Sequence, residues 1–251
     1  MSEFSDLSPW LFLVAPAVII VAYTVFGLSG FGSTVISVPI LAHFLPVSYL
    51  VPLMALLDCA SATFMGTSGR EHVSSEELKR IVPFMFAGFV VGATLLVRMP
   101  DAYLRVALGL FTVIIGIHSI VNPTLHRKIS RWWCVPVGIV GGAVATVFGA
   151  GGPIYAAYLS GRLDDKTQIR STMSALISIS AFTRAVVYAV SGLLLHMGIL
   201  VGGLVLAPFA WIGLKLGGRI HVGLTQQQMR RVVGIIVLIT GLSLLARSLA
   251  A

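Results

Sequence analysis

Apolar residues fall in long runs along this chain, and glycine, proline or short charged clusters break them apart. Runs of this kind predict membrane helices of about 20 residues. Ten segments follow: Trp10–Phe26, Ser33–Phe44, Val47–Met65, Arg80–Val97, Tyr103–Ile120, Trp132–Phe148, Pro153–Ser160, Gln168–Val190, Gly198–Gly217 and Met229–Ala246. Two are too short to cross. Ser33–Phe44 rises about 18 Å as a helix, against a hydrocarbon core of about 30 Å, and Pro153–Ser160 is shorter still. Each follows a glycine-rich break: Phe26-Gly27-Leu28-Ser29-Gly30-Phe31-Gly32-Ser33-Thr34 in the first case, Phe148-Gly149-Ala150-Gly151-Gly152-Pro153 in the second. Unwound backbone at membrane depth is tolerated only where it is buried in protein or lines a cavity. Both short segments therefore read as half-helices or re-entrant arms.

The chain also repeats itself. Placing Pro83–Ile120 on Pro208–Leu245 without a gap aligns Pro83 with Pro208, Phe84 with Phe209, Gly88 with Gly213 and Gly92 with Gly217. The same register pairs Arg105 with Arg230, Gly109 with Gly234 and Gly116 with Gly241. Upstream, after a small shift, Gly30-Phe31-Gly32 falls on Gly149-Ala150-Gly151. The expected architecture is an all-α integral membrane protein made of two five-segment units, residues 1–125 and 126–251, with eight to ten transmembrane or re-entrant helices. Five is odd, so the second unit must enter the membrane upside down. A paired helix interruption in two inverted halves points to a transporter's binding site.

Composition agrees with this reading. Hydrophobic residues make up 57% of the chain and charged residues 10%, with a mean hydropathy of +0.97, whereas a soluble domain carries about 25% charge. The net charge of +8 does not indicate nucleic acid. Lys and Arg sit in short clusters between apolar runs, which is the positive-inside pattern. The connector Asn122–Arg131, with His126, Arg127, Lys128 and Arg131, is then cytoplasmic, and both termini are expected outside. Glu3 and Asp6 replace the basic start of a cleavable signal peptide, so the segment from Trp10 onward is expected to be retained. Cys59 and Cys134 form neither a disulfide framework nor a metal motif. The six histidines show no ligand spacing, and no metal or cofactor is expected.

The breaks carry the candidate chemistry. A helix starting at Ser33 or at Pro153 offers free N–H groups and about half a positive charge. Ser33 and Thr34 are candidate caps for the first start, and Pro153 suits a first turn. Two such ends meeting would make an anion site, with Gly30, Phe31, Gly32, Ser33, Thr34, Gly149, Ala150, Gly151, Gly152 and Tyr155 around it. Asp58 lies mid-segment, and an ionisable residue at that depth is a functional candidate. By taking up and releasing a proton it is the candidate coupling residue. Arg184 is a candidate to neutralise the anion, gate the outer vestibule or pair with Asp58, and Thr172 is a candidate hydroxyl donor on the same helix.

Gly30-Phe31-Gly32-Ser33 followed by Pro39, together with Gly149-Ala150-Gly151-Gly152-Pro153, resembles the two glycine-rich signatures of the sulfite exporter TauE/SafE family. The patterns Gly88/Gly92/Arg105 and Gly213/Gly217/Arg230 are similar to that family as well. The resemblance implies an inner-membrane permease, not an enzyme, for small sulfur-containing anions such as sulfite, sulfoacetate, thiosulfate or related organosulfonates. The expected function is a secondary transporter working by alternating access, with protons as the candidate coupling ion. An anion channel on the same scaffold is the alternative. A third reading comes from Gly27-Leu28-Ser29-Gly30, which matches the Gly-x-Ser-Gly form of intramembrane serine proteases. Its required histidine has only His118 and His43 as candidates, neither in a recognisable catalytic context.

Overall fold

The structure, a computed structural model, describes residues 11–29, 32–65, 70–121, 129–219 and 226–250. Ten α-helices occupy them: α1 Leu11–Ser29, α2 Ser33–Leu41, α3 Val47–Met65, α4 Ser75–Arg98, α5 Asp101–Val121, α6 Cys134–Phe148, α7 Gly152–Arg162, α8 Lys166–Val190, α9 Met197–Arg219 and α10 Gln226–Ala250. No strand occurs among the described residues. Six stretches are long and apolar enough to cross a membrane, on α4, α5, α6, α8, α9 and α10, and α1 and α3 carry the shorter apolar stretches Phe12–Leu28 and Val47–Thr63. Large apolar side chains such as Val90, Ile114, Val186, Leu204 and Ile239 point outward. In water such a surface would be untenable; against lipid tails it costs nothing. The chain is a multi-pass membrane protein.

The two short helices are as short as expected. α2 has 9 residues and α7 has 11, which gives rises of about 14 and 16 Å. α2 ends at Leu41, earlier than the apolar run suggested, because the chain turns at Ala42–Leu45. α4 starts at Ser75 rather than near Arg80, so its first turn takes in Glu76 and Glu77. That acidic turn suits the positive end of a helix dipole.

Packing follows a pattern that repeats. The most extensive helix pairs are α1 with α9, α4 with α6, and α5 with α10. Replacing every helix by the one five places along the chain converts the first pair into the second and leaves α5/α10 and α3/α8 unchanged. Glycines make these approaches close. An added Cβ at Gly88 would lie 2.2 Å from the Ile139 carbonyl oxygen on α6, and one at Gly213 would lie 2.5 Å from that of Ile20 on α1. Gly109, Gly116, Gly234 and Gly241 do the same between α5 and α10. The glycines that keep phase in the sequence are thus packing residues, as small residues at membrane helix interfaces usually are.

The short helices are braced differently. α2 is wedged among α1, α3, α5 and α10, and nearly all of it is buried. α7 packs on α6 and α8 and is anchored at its far end by charge. There the buried Glu77 accepts from Arg162 Nε at 3.1 Å and Nη2 at 2.8 Å, from Arg80 Nη1 at 3.2 Å and from the Tyr158 hydroxyl at 2.7 Å. The loop before α6 closes the same corner, with Ile129 N–H donating to the Gly161 carbonyl at 2.9 Å. The near ends of α2 and α7 carry the two breaks.

Candidate functional site

α1 stops at Ser29 and α2 starts at Ser33, with Gly32 at the N-cap in a positive-φ conformation (φ +106°). α6 stops at Phe148, where Gly149 turns the chain at φ +71°, and α7 starts at Gly152 with Pro153 in its first turn. Glycine takes up such conformations without strain from a side chain. The expectation that Ser33 and Thr34 cap α2 is overturned. Both sit inside the helix as its first residues, where a side chain cannot make the bond that an N-cap residue makes to the amides of the next turn. Their hydroxyls go elsewhere. Ser33 Oγ donates to Asp58 Oδ1 at 2.9 Å, and Thr34 Oγ1 donates to the carbonyl of Gly149 at 2.5 Å. The second bond joins one break directly to the other, across the space that a side chain on Gly149 would fill: its Cβ would lie 2.7 Å from Thr34 Cγ2.

Asp58 on α3 and Arg184 on α8 form a buried ion pair, Nη2 to Oδ2 at 3.0 Å, with 4% and 3% of the two residues exposed. Asp58 Oδ1 also accepts from the Tyr23 hydroxyl at 2.8 Å. Arg184 Nη1 donates to the Ala145 carbonyl at 3.2 Å, and the Tyr188 hydroxyl donates to that of Thr146. Isolated charges at this depth would cost far more than any contact returns. Mutual pairing with hydrogen bonds on the remaining oxygens makes the arrangement tolerable.

These groups surround a cavity of about 30 Å³, lined by both helix starts. That is room for about one or two water molecules, well below the ~300–1,000 Å³ of small-molecule sites, so an anion enters only when the wall moves apart. Gly32, Ser33 and Thr34 line it from α2; Gly149, Gly151, Gly152 and Tyr155 from the second break; Asp58, Ser180 and Arg184 from α3 and α8. On two of the residues that line it, Tyr155 Oη and Arg184 Nε have no hydrogen-bond partner among the described residues. Buried donors are paired in the great majority of cases, so these two are the candidate donors for an acceptor brought between α7 and α8. The first-turn amides of α2 have no partner within their own helix and add to the same set.

Of the residues singled out in the sequence, Gly32, Ser33, Thr34, Asp58, Gly149, Gly151, Gly152, Tyr155 and Arg184 come together here. Gly30 and Phe31 lie outside the described residues. Ala150 turns away, lining a smaller cleft with Pro39, Leu108 and Phe111. Thr172 is not in the cavity wall: its hydroxyl accepts the Ser74 N–H at 2.9 Å and holds the chain entering α4. Tyr23, Ser180 and Tyr188 were not singled out. Ser180 and Tyr188 each stand one helical turn from Arg184, and that spacing places all three on one face. Tyr23 carried a weaker signal, a lone phenol inside an apolar helix, where an interfacial anchor is the usual reading.

The family model for "Sulfite exporter TauE/SafE" matches residues 15–244. The chain is also similar to the "Probable inner membrane transporter protein TsaS" of Comamonas testosteroni, with 24% identity over 193 residues, 76% of this chain and 81% of that protein. No solved structure matches it.

Proposed function

The chain belongs to the sulfite exporter TauE/SafE family, and from that premise we propose that it is a secondary transporter of small sulfur-containing anions. Sulfite, sulfoacetate and thiosulfate are the substrates in view, carried across the inner membrane by alternating access. The observation that carries this is the cavity itself. Two half-helix starts, a buried arginine with an unpaired Nε and an unpaired tyrosine hydroxyl converge on one small volume. Oxyanions suit such a donor set, because positive helix ends and N–H groups bind them without a further cation. In this reading residues 1–125 and 126–251 are inverted halves, the cavity lies near the midplane and both chain termini face outward.

Asp58 supplies the coupling. As observed, its charge cancels that of Arg184, so an incoming monoanion would leave the buried site with a net negative charge. Protonation of Asp58 frees the guanidinium for the substrate and restores neutrality. One proton then travels with a singly charged anion such as hydrogensulfite, whereas a dianion such as thiosulfate or sulfoacetate leaves one negative charge for the helix starts to offset. Tyr23 and Ser33 hold the carboxyl in place through the exchange.

The test is a binding screen of purified protein against sulfite, thiosulfate, sulfate and sulfoacetate, followed by flux in proteoliposomes. Saturable uptake accompanied by proton movement is expected, with Asp58→Asn retaining binding and losing the pH-gradient dependence. Failure of every oxyanion to bind would remove the proposal. Current that is driven by voltage and does not saturate would identify a channel.

A further inference from the structure

A cavity this small has to open before an anion reaches it, and its two short arms are held differently. α2 is buried along nearly its whole length among α1, α3, α5 and α10. α7 is an 11-residue rod with a non-helical link at each end, the glycine break at 149–151 beside the cavity and residues 163–165 at the far end. Glycine absorbs backbone rotation at little cost. The apolar face of α7 shares a cluster with Ile81 and Met85 of α4 and with Met173 and Leu176 of α8, and methionine adapts readily to a changed shape. The polar hold is at the far end. Glu77 of α4 accepts from Arg162 and Tyr158 of α7 and also from Arg80 of its own helix. Arg80 is the informative partner. If α7 withdraws, Glu77 keeps an arginine, and Arg162, already 25% exposed, passes into water. A fixed buried pair is costly to break because one charge is stranded, and here neither is.

Resting on the transporter reading above, we infer that α7 is the gate of the cavity toward the end where Arg162 sits, and that Glu77 is the latch that holds it shut. Swinging about the glycine break carries Gly152 and Tyr155 away from Arg184 and opens the wall between α7 and α8. Hinges of this kind are a few residues at the end of an element that take up the backbone change. Release of Arg162 also sets a free cation at the mouth, and a positive mouth raises the local concentration of anions. A static brace in the same place would work equally well if it were stapled. A gate would not.

Thiol accessibility tests this without a substrate. In a background of Cys59→Ala and Cys134→Ala, Ser180→Cys sets a thiol in the cavity wall. A charged methanethiosulfonate reagent reads its exposure in the purified full chain held in nanodiscs. Glu77→Gln should accelerate labelling roughly 5- to 50-fold, between the worth of an exposed and of a buried ion pair. Gly88→Ala, which crowds α4 against α6 away from the latch, should not, and so controls for general loosening. Gly161→Cys with Ile129→Cys staples the gate: a Cβ on Gly161 would lie 3.2 Å from Ile129 Cβ, close to the ~3.5–4.5 Å of a disulfide. Oxidising that pair should slow labelling roughly tenfold or more, because the open state is removed, and reducing it beforehand should restore the rate. Equal labelling with and without the staple would overturn the inference, as would equal acceleration by Glu77→Gln and Gly88→Ala. If Glu77→Gln does not fold, the staple decides alone. Labelling that follows the latch supports the gate even where sulfite, thiosulfate and sulfoacetate all fail to slow it, and then the anion-site reading alone falls.

Discussion

Tyr155→Phe separates a binding residue from a structural one, because the two roles move stability in opposite directions. The side chain is 1% exposed, lies against the cavity, and its hydroxyl has no partner among the described residues. A buried hydroxyl without a hydrogen bond costs about 1–3 kcal/mol of stability. Deleting one oxygen should therefore leave the empty protein as stable as wild type or more so, by about 2–4 °C in Tm for each kcal/mol at this chain length. With an oxyanion bound the balance reverses. A hydrogen bond to a charged acceptor is worth about 1.5–3 kcal/mol, which is roughly 10- to 150-fold in Kd. Thermal unfolding of the purified protein, with and without a saturating sulfur oxyanion, reads both effects. The expected result is an equal or higher Tm in the empty variant and a smaller ligand-induced rise. A lower Tm in the empty variant with an unchanged ligand shift would refute the reasoning, since the hydroxyl would then be bonded within the empty protein.

Further variants test the parts around it. Arg184→Met and Asp58→Asn should each destabilise the protein strongly, by about 3–5 kcal/mol for a buried pair broken on one side, and the double variant should lose less than their sum; thermal unfolding of all three would show whether it does. Gly32→Ala has room, its nearest neighbour being Val25 Cγ1 at 4.0 Å, but sits at φ +106°, so a strain of about 1–3 kcal/mol with weakened anion binding is expected by titration. Gly88→Ala meets backbone at 2.2 Å and should instead cut folded yield on gel filtration, with the affinity of the surviving folded fraction unchanged. Glu77→Gln loosens the far anchor of α7, and a fall of about 1–3 kcal/mol follows from its ion pair with Arg162, which is discounted because the arginine side chain is 25% exposed.

Segment order and the two broken helices were readable because membrane helices announce themselves by length and their interruptions by glycine. The ten runs named from hydropathy correspond one to one with α1–α10. Boundaries slipped where charge enters a helix: α4 extends back through Glu76 and Glu77, and α8 begins at Lys166 after Asp165, whose carboxylate accepts the Gln168 N–H at 2.8 Å. What stayed hidden depends on distant partners. Glu77 is a surface-type residue by sequence and is buried only because Arg162, 85 positions away, meets it. Thr172 and Ser180 lie on the same helix and look alike in a string of letters. One meets the chain before α4 and the other meets the cavity, a difference of helical phase that only packing decides.

The Asp58–Arg184 pair also explains where a repeat of this kind must stop repeating. In the register that sets Pro83 on Pro208, Arg184 falls on Cys59, the residue next to Asp58. The helices that carry the pair, α3 and α8, exchange with each other when the halves are exchanged, and they pack together. A faithful copy would therefore set like charge against like charge. Two equal charges about 4 Å apart repel by about 4 kcal/mol even at an effective dielectric of 20. Glycines at α1/α9 and α4/α6 face no such conflict, because smallness is compatible with itself, and they keep phase. At the crossing of α3 and α8 the halves have to differ, and an acid facing a base is the difference that cancels charge. The site inherits this asymmetry: Tyr23 and Ser33 serve the acid, while the end of α6 serves the base. On the proposed alternating-access reading, a pair on the crossing keeps its place while the two halves trade arrangements around it, as transport about a fixed site requires.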